Sequence, residues 1–194
     1  MTRPHRSRAS FEQFTAGIDA GATLVTHLYN VMRGFEHRAP GSVGAALTDD
    51  RVTVGVIADG VHAHAAALAL ALRAKGRERM LLVTDAVAAA GGPPGTYALG
   101  GAPVIYDGTT ARRIDGTLAG STLTLDRAVR TMIALGAAPR EAALSMATAV
   151  PARVLGLTDL GRLAPGCVAD LTLWTPSMEI EATYVGGRAM YDRG

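Results

Sequence analysis

The sequence predicts an α/β fold. Three apolar runs, "ATLVTH" (22–27), "RVTVGVIADG" (51–60) and "RMLLVTDA" (79–86), are short and rich in Val, Ile, Leu and Thr. None alternates cleanly with polar residues, which suits strands buried on both faces, as in a parallel sheet. Helix-like segments stand among them in the order helix, strand, connection, strand, helix, strand, the alternation of an α/β chain. All three runs also end in polar residues, Thr26-His27, Asp59 and Thr84-Asp85.

The elements follow in order. In "SFEQFTAGIDAG", Phe11, Phe14 and Ile18 share a helical face, Ser10 is an N-cap and Gly21 a stop. "AHAAALALALRAKG" is Ala- and Leu-rich and ends in Arg-x-Lys-Gly, a good helix end. After Asp85 the character changes: "AAAGGPPGTYALGG" is loop chemistry, and "APVIYDG" and "ARRIDGTLAG" suit short antiparallel strands. In "TLTLDRAVRTMIALG", Leu125, Val129, Met132 and Ile133 share a face. "PREAALSMATAVPARVLGL" breaks before Pro151, which suits the first turn of a new helix. The C-terminal stretch reads as strands "ADLTLW", "IEATYV" and "RAMY" joined by turns.

Composition narrows the function classes. The chain has 194 residues, 48% of them hydrophobic, and a net charge of +2, an ordinary globular balance. Arg3, Arg6 and Arg8 form no run long enough for nucleic acid and read as a solvated tail. Cys167 stands alone, so no intrachain disulfide or cysteine zinc cluster forms, and a reducing cytoplasm fits. No stretch reaches the ~18 apolar residues of a membrane span. Ala65 to Leu72 comes nearest and is ended by Arg73 and Lys75. No apolar region follows the N-terminal arginines, so no secretory signal is read. The expectation is a cytoplasmic protein with neither nucleic-acid nor membrane partners.

The strand ends carry the chemistry. Ligands of parallel α/β folds collect at the carboxyl ends of strands. Each residue has a plain structural reading: His27 as a hydrogen-bonded strand-end histidine, Asp85 as a turn cap, His62 and His64 as the start of a helix, Arg38 as a loop arginine. Three successive strand ends bearing His, Asp with His, and Asp resemble one rim of an active site.

The segments "THLYNVM", "HRAPGSVGAAL", "IADGVH", "LVTDA" and "GTLAGSTLTLDRAV" resemble successive signatures of N-acetylglucosamine-6-phosphate deacetylases, members of the amidohydrolase superfamily. The tail "PARVLGL…GRLAPGCVADLTLW" is similar to one shared across that superfamily and discriminates less. The resemblance runs from about Ser10 to the C-terminus. It implies the last three strands of a metal-dependent hydrolase (β/α)8 barrel over residues 10–160. It also implies C-terminal strands of a small β-sandwich over 161–194, and leaves 1–9 as a non-matching segment. The implied reaction is metal-dependent removal of acetate from N-acetylglucosamine 6-phosphate. The implied cofactor is a divalent ion, Zn or Fe.

Residue by residue, the resemblance makes His27 a metal ligand and Asp85 the catalytic aspartate. Asn30, with the backbone at Val31, contacts the sugar phosphate; Arg38 matches a phosphate-binding arginine that reaches a neighbouring subunit's site. Asp59, Gly60, Val61 and His62 line the substrate pocket, and Leu118, Ala119 and Gly120 close over the sugar. The physics is consistent: imidazole suits divalent zinc. Such an ion activates a water, and a carboxylate beside that water can take its proton and return it to the leaving amine. A phosphate calls for fixed cationic donors. An amidohydrolase acting on cyclic amides is the competing family member, and DGVH and LAGS argue against it.

The departures shape a further expectation. The resemblance implies a glutamate ligand from an earlier strand and a histidine ligand in a Gly-His-Ser-like stretch. Arg6 aligns with that histidine and His5 falls one residue early; a guanidinium cannot ligate. A complete barrel takes roughly 250 residues. The expectation is therefore an incomplete barrel, family-like from about Ser7 after a frame disruption or misplaced start. Val25, Val54, Ile57 and Val83 would lack their full packing layers, and activity alone would be weak or absent. Such a chain works as a homo-oligomer or with a missing N-terminal half, or survives as a non-catalytic remnant or trans-complementing subunit that binds the sugar phosphate.

Overall fold

The computed structural model describes residues 9–194. Helix α1 (Phe11–Asp19) starts at a capping box: the Ser10 side chain accepts from the Gln13 N–H while the Gln13 side chain accepts from the Ser10 N–H. Of its predicted face, Ile18 is buried and Phe14 packs beside it. Strand β1 (Leu24–Val25) follows, then α2 (Gly41–Thr48), β2 (Thr53–Val56), α3 (Ala65–Lys75) and β3 (Met80–Leu82). The three strands form one parallel sheet in the order β1-β2-β3.

The connection read between the first two strands contains α2. Six of its residues, Gly41 to Ala46, are buried, and it packs on α1. Its small side chains leave no apolar stripe for periodicity to register, yet they permit close approach. A Cβ on Gly44 would lie 2.4 Å from the Pro40 Cβ.

Burial on both faces holds for β2 and β3 but not for β1, where Leu24 is 46% exposed. One face of the sheet carries Val25, Val54, Val56, Met80 and Leu82 into a core shared with Leu68 of α3. Met132 of α4 (Leu125–Ala134) and Met146 of α5 (Arg140–Ala147) complete that core. The other face brings Gly55 against the Leu81 and Val83 side chains. Val25, Val54 and Ile57, expected to lack packing layers, are 8%, 0% and 1% exposed, because the helical layer covers them; only Val83 stays half-exposed.

Between β3 and α4 an antiparallel meander forms from β4 (Gly95–Leu99), β5 (Ala102–Tyr106) and β6 (Ala111–Arg113). Strand β4 falls where the sequence reads as loop. Its pairing with β5, rather than intrinsic preference, holds it extended. The break before Pro151 falls at Thr148, and α6 (Ala149–Val154) carries Pro151 in its first turn. Strands β7 (Leu171–Trp174), β8 (Ile180–Val185) and β9 (Arg188–Asp192) close the chain as a second antiparallel sheet. Met178 and Trp174 join that sheet to the main core, and Arg130 of α4 ion-pairs with Asp126 and Glu179. No helix among the described residues is long and apolar enough to cross a membrane.

Candidate active site

The three strand ends meet along one edge. Beyond β1 the Leu28 N–H donates to the Gly55 carbonyl (2.8 Å), and beyond β3 the Val83 N–H donates to the Val56 carbonyl at the end of β2 (3.0 Å). Parallel pairing thus carries His27, Asp59 and Asp85 to the same carboxyl edge of the sheet.

His27 opens a turn held by main-chain geometry. Its Nδ1 lies 3.1 Å from the Asn30 carbonyl. A carbonyl only accepts, so Nδ1 carries the proton and Nε2 keeps a lone pair, the arrangement of a ligating imidazole. Asn30 returns a backbone bond to the His27 carbonyl (2.9 Å), and its side-chain amide donates to Leu28 (3.2 Å). His27, Tyr29 and Val31 all have positive φ, at 37°, 76° and 57°. For a β-branched valine this is a genuine strain. The Tyr29 hydroxyl, donating to the Ala67 carbonyl of α3 at 2.8 Å, ties the turn down, and burial raises its pKa. The Tyr29 and Val31 N–H groups find no acceptor among the described residues, so this turn can offer amide donors to an anion.

Asp59 and His62 form a second unit. The Asp59 Oδ1 accepts from the Val61 and His62 N–H groups, both at 2.8 Å, over a turn with Gly60 at φ 78°. Its Oδ2 accepts from His62 Nδ1 at 2.6 Å, which again leaves Nε2 outward. The His62 side chain is only 5% exposed. Burial pushes the Asp59 carboxyl up, but the bonds from the His62 ring and the two N–H groups outweigh it, and the net shift is downward. Asp59, read from sequence as pocket lining, stands on the wall of the same cavity as His62 and holds its ring.

Asp85 follows β3 with φ 51° and an exposed side chain. The 118–121 segment is laced to it. The Ser121 N–H donates to the Asp85 carbonyl (2.7 Å), Val87 donates to Ser121 (2.9 Å), and the Ser121 hydroxyl donates to the Thr84 carbonyl. Gly120, at φ 75°, is required: a Cβ there would lie 2.6 Å from Val87 Cγ1 and 2.7 Å from the Asp85 carbonyl oxygen. Leu118 and Gly120 line a small cavity with Asp59, Val61 and His62. Ala119 is buried against Val104 and Ala111.

The expected residues therefore fall into two groups. His27, Asn30 and Val31 share a hollow with Gln13, Phe14 and Ile18, while His62 shares its cavity with Leu118 and Gly120, beside Asp85. Arg38 is exposed on the turn closed by Glu36 and Ala39 and lines neither. Arg6 and His5 lie outside the described residues. Two residues were not singled out from sequence: Ser121, visible only as the last letter of "LAGS", and Tyr29, visible only inside "THLYN".

The donors do not make a metal centre by themselves. His27 Nε2 and the Asp85 carboxylate are suitable, but no group of three His, Cys, Asp or Glu side chains forms among the described residues. Zinc sites take three or four protein ligands.

Comparison with known proteins fixes the class. The amidohydrolase family pattern matches residues 5–190, and this chain belongs to that family. Its relatives within the family are amino-sugar phosphate deacetylases. An N-acetylgalactosamine-6-phosphate deacetylase of Escherichia coli O157:H7 is 44% identical over 184 residues, 94% of this chain and 48% of that protein. An N-acetylglucosamine-6-phosphate deacetylase of Lysinibacillus sphaericus is 40% identical over 182 residues, 94% of this chain and 47% of that protein. Among solved structures, the Mycobacterium smegmatis N-acetyl-D-glucosamine-6-phosphate deacetylase, in complex with N-acetyl-D-glucosamine-6-phosphate, superposes with a TM-score of 0.88. It is 40% identical, covering 94% of this chain and 49% of that one. The chain spans about half the length of these relatives.

Proposed function

We propose that this chain carries the proton-transfer and phosphate-anchoring part of an N-acetylhexosamine 6-phosphate deacetylase. The supporting observation is the shared carboxyl edge, where Asp85, the Asp59–His62 pair and His27 stand on adjacent strand ends. On this reading residues 10–160 hold the last three strands of a (β/α)8 barrel, and 161–194 hold strands of a small β-sandwich.

The reaction is hydrolysis of the acetamide C–N bond. Asp85 is an exposed carboxylate whose backbone is held by Ser121, so it can take the proton of the attacking water and deliver it to the departing amine. The Tyr29–Val31 turn presents N–H donors to the phosphate, and His62, as an imidazolium, adds the N–H of Nε2; these fix the sugar against the carboxylate. His27 presents Nε2 to a divalent ion, Zn or Fe, should further donors complete its shell. Arg38 reaches the phosphate of a neighbouring copy in a homo-oligomer. The relatives divide between gluco and galacto epimers, so the substrate class is the N-acetylhexosamine 6-phosphate.

A second reading, sugar-phosphate binding without turnover, is favoured by the incomplete donor set. Calorimetric titration with N-acetylglucosamine 6-phosphate, followed by acetate release with Zn or Fe present, separates the two. Binding with Asp85-dependent acetate release supports the deacetylase. Binding without release, restored by adding the N-terminal half of a relative, supports a complementing subunit. Absence of binding removes both.

A further inference from the structure

The cavity around His62 is also walled by Arg127, a residue of the "GTLAGSTLTLDRAV" segment to which no role has so far been assigned. Its walls include His62, Leu118, Gly120, Thr122 and, from the first turn of α4, Arg127. It is a small hollow, partly open to solvent, and Arg127 is itself exposed. The Arg127 side chain makes no hydrogen bond or ion pair with any described residue, and the ion pairs of its helix belong to Arg130. Its neighbour on the same helix, Arg130, is occupied by Asp126, Glu179 and the Met178 carbonyl. His62 Nδ1 is taken by Asp59, and Arg127 is the uncommitted cation on the cavity wall among the described residues. Arg38 does not line this cavity.

Resting on the deacetylase reading of this site, we propose that Arg127 binds the substrate phosphate together with His62. It thereby sets the preference for 6-phosphorylated over unphosphorylated amino sugars. A phosphate entering this cavity needs a compensating charge, and a guanidinium fork supplies it with two parallel donors. Arg127 is a specificity-determining residue within one chain, in addition to any arginine that a second copy contributes.

The test is titration of the full chain with N-acetylglucosamine 6-phosphate and with N-acetylglucosamine, no metal being needed. Arg127→Gln is expected to weaken binding of the phosphorylated sugar about tenfold, the effect of one hydrogen bond to a charged group. Binding of the unphosphorylated sugar should not change, and Arg127→Lys should recover part of the loss. Arg113→Gln, an exposed arginine of β6 outside the cavity, controls for net charge and should bind as wild type. Melting curves confirm folding of each variant, since Arg127 holds no partner. Wild-type protein that binds no amino-sugar phosphate overturns the proposed function and this role with it. Wild type that binds, with Arg127→Gln unchanged or with Arg113→Gln equally weakened, overturns the Arg127 role alone.

Discussion

Asp59 and His62 work as one unit, and their coupling sets a pH dependence. The Asp59 carboxyl is held below its ordinary value: burial opposes this, and the His62 ring with two backbone N–H groups prevails. A carboxyl with a lowered folded value adds stability above its unfolded pKa of about 3.9 and loses it as pH falls through the folded value. Melting temperatures of wild type and Asp59→Asn should therefore differ near neutral pH, and the gap should begin to narrow only as pH falls below about 4. A gap that persists in acid would deny the carboxylate its role. Asp85 sits differently, with an exposed side chain on a backbone at φ 51°. Asp85→Asn should leave the melting curve nearly unchanged and lower acetate release by about 10²–10⁴-fold, the usual worth of a general base. A variant with wild-type turnover would move the proton transfer elsewhere.

At the scale of elements, the 118–121 segment decides how the third strand end is presented. Ser121 is 3% exposed; its hydroxyl donates to Thr84 and accepts from Leu123 at 3.0 Å. Gly120 allows the close approach to Asp85 and Val87. Gly120→Ala adds a Cβ at an unfavourable φ into occupied space, a destabilisation of about 1–3 kcal/mol. Chemical denaturation should show that loss, and substrate binding should weaken in the folded protein as the segment lifts from Asp85. A variant as stable as wild type would mean that the segment shifts freely. The helices under the sheet were legible because their chemistry is local: Ser10 reads as an N-cap, and Arg73, Lys75 and Gly76 spell a helix end. Helix α2 and strand β4 were not. Small residues hide the buried face of the first, and the second is extended only because β5 pairs with it.

At the scale of the whole molecule, the first and last sheets of the described residues carry exposed apolar side chains. Leu24 on edge strand β1 is 46% exposed, and on β8–β9 Val185, Met190 and Tyr191 are 54%, 67% and 49% exposed. Unpaired edges beside exposed apolar side chains favour association with another chain. Sedimentation should show concentration-dependent self-association of the purified chain, reduced by Leu24→Lys or Met190→Lys. A monomer at every concentration would show that these surfaces are inert.

Residue types and their order, by themselves, determined the α/β class, the family resemblance and the strand ends on which His27, Asp59 and Asp85 lie, because apolar runs and polar termini are properties of neighbours in the chain. Tertiary structure alone decided which donors are free. His27 and His62 each turn Nδ1 to an oxygen and Nε2 outward. Arg127 enters the His62 cavity while Arg38 stays outside it. Tyr29, Val31 and Asp85 adopt left-handed backbone that no side-chain preference announces. Hydrogen-bond direction, cavity walls and strain depend on groups brought together from distant parts of the chain, and packing alone sets where those groups meet.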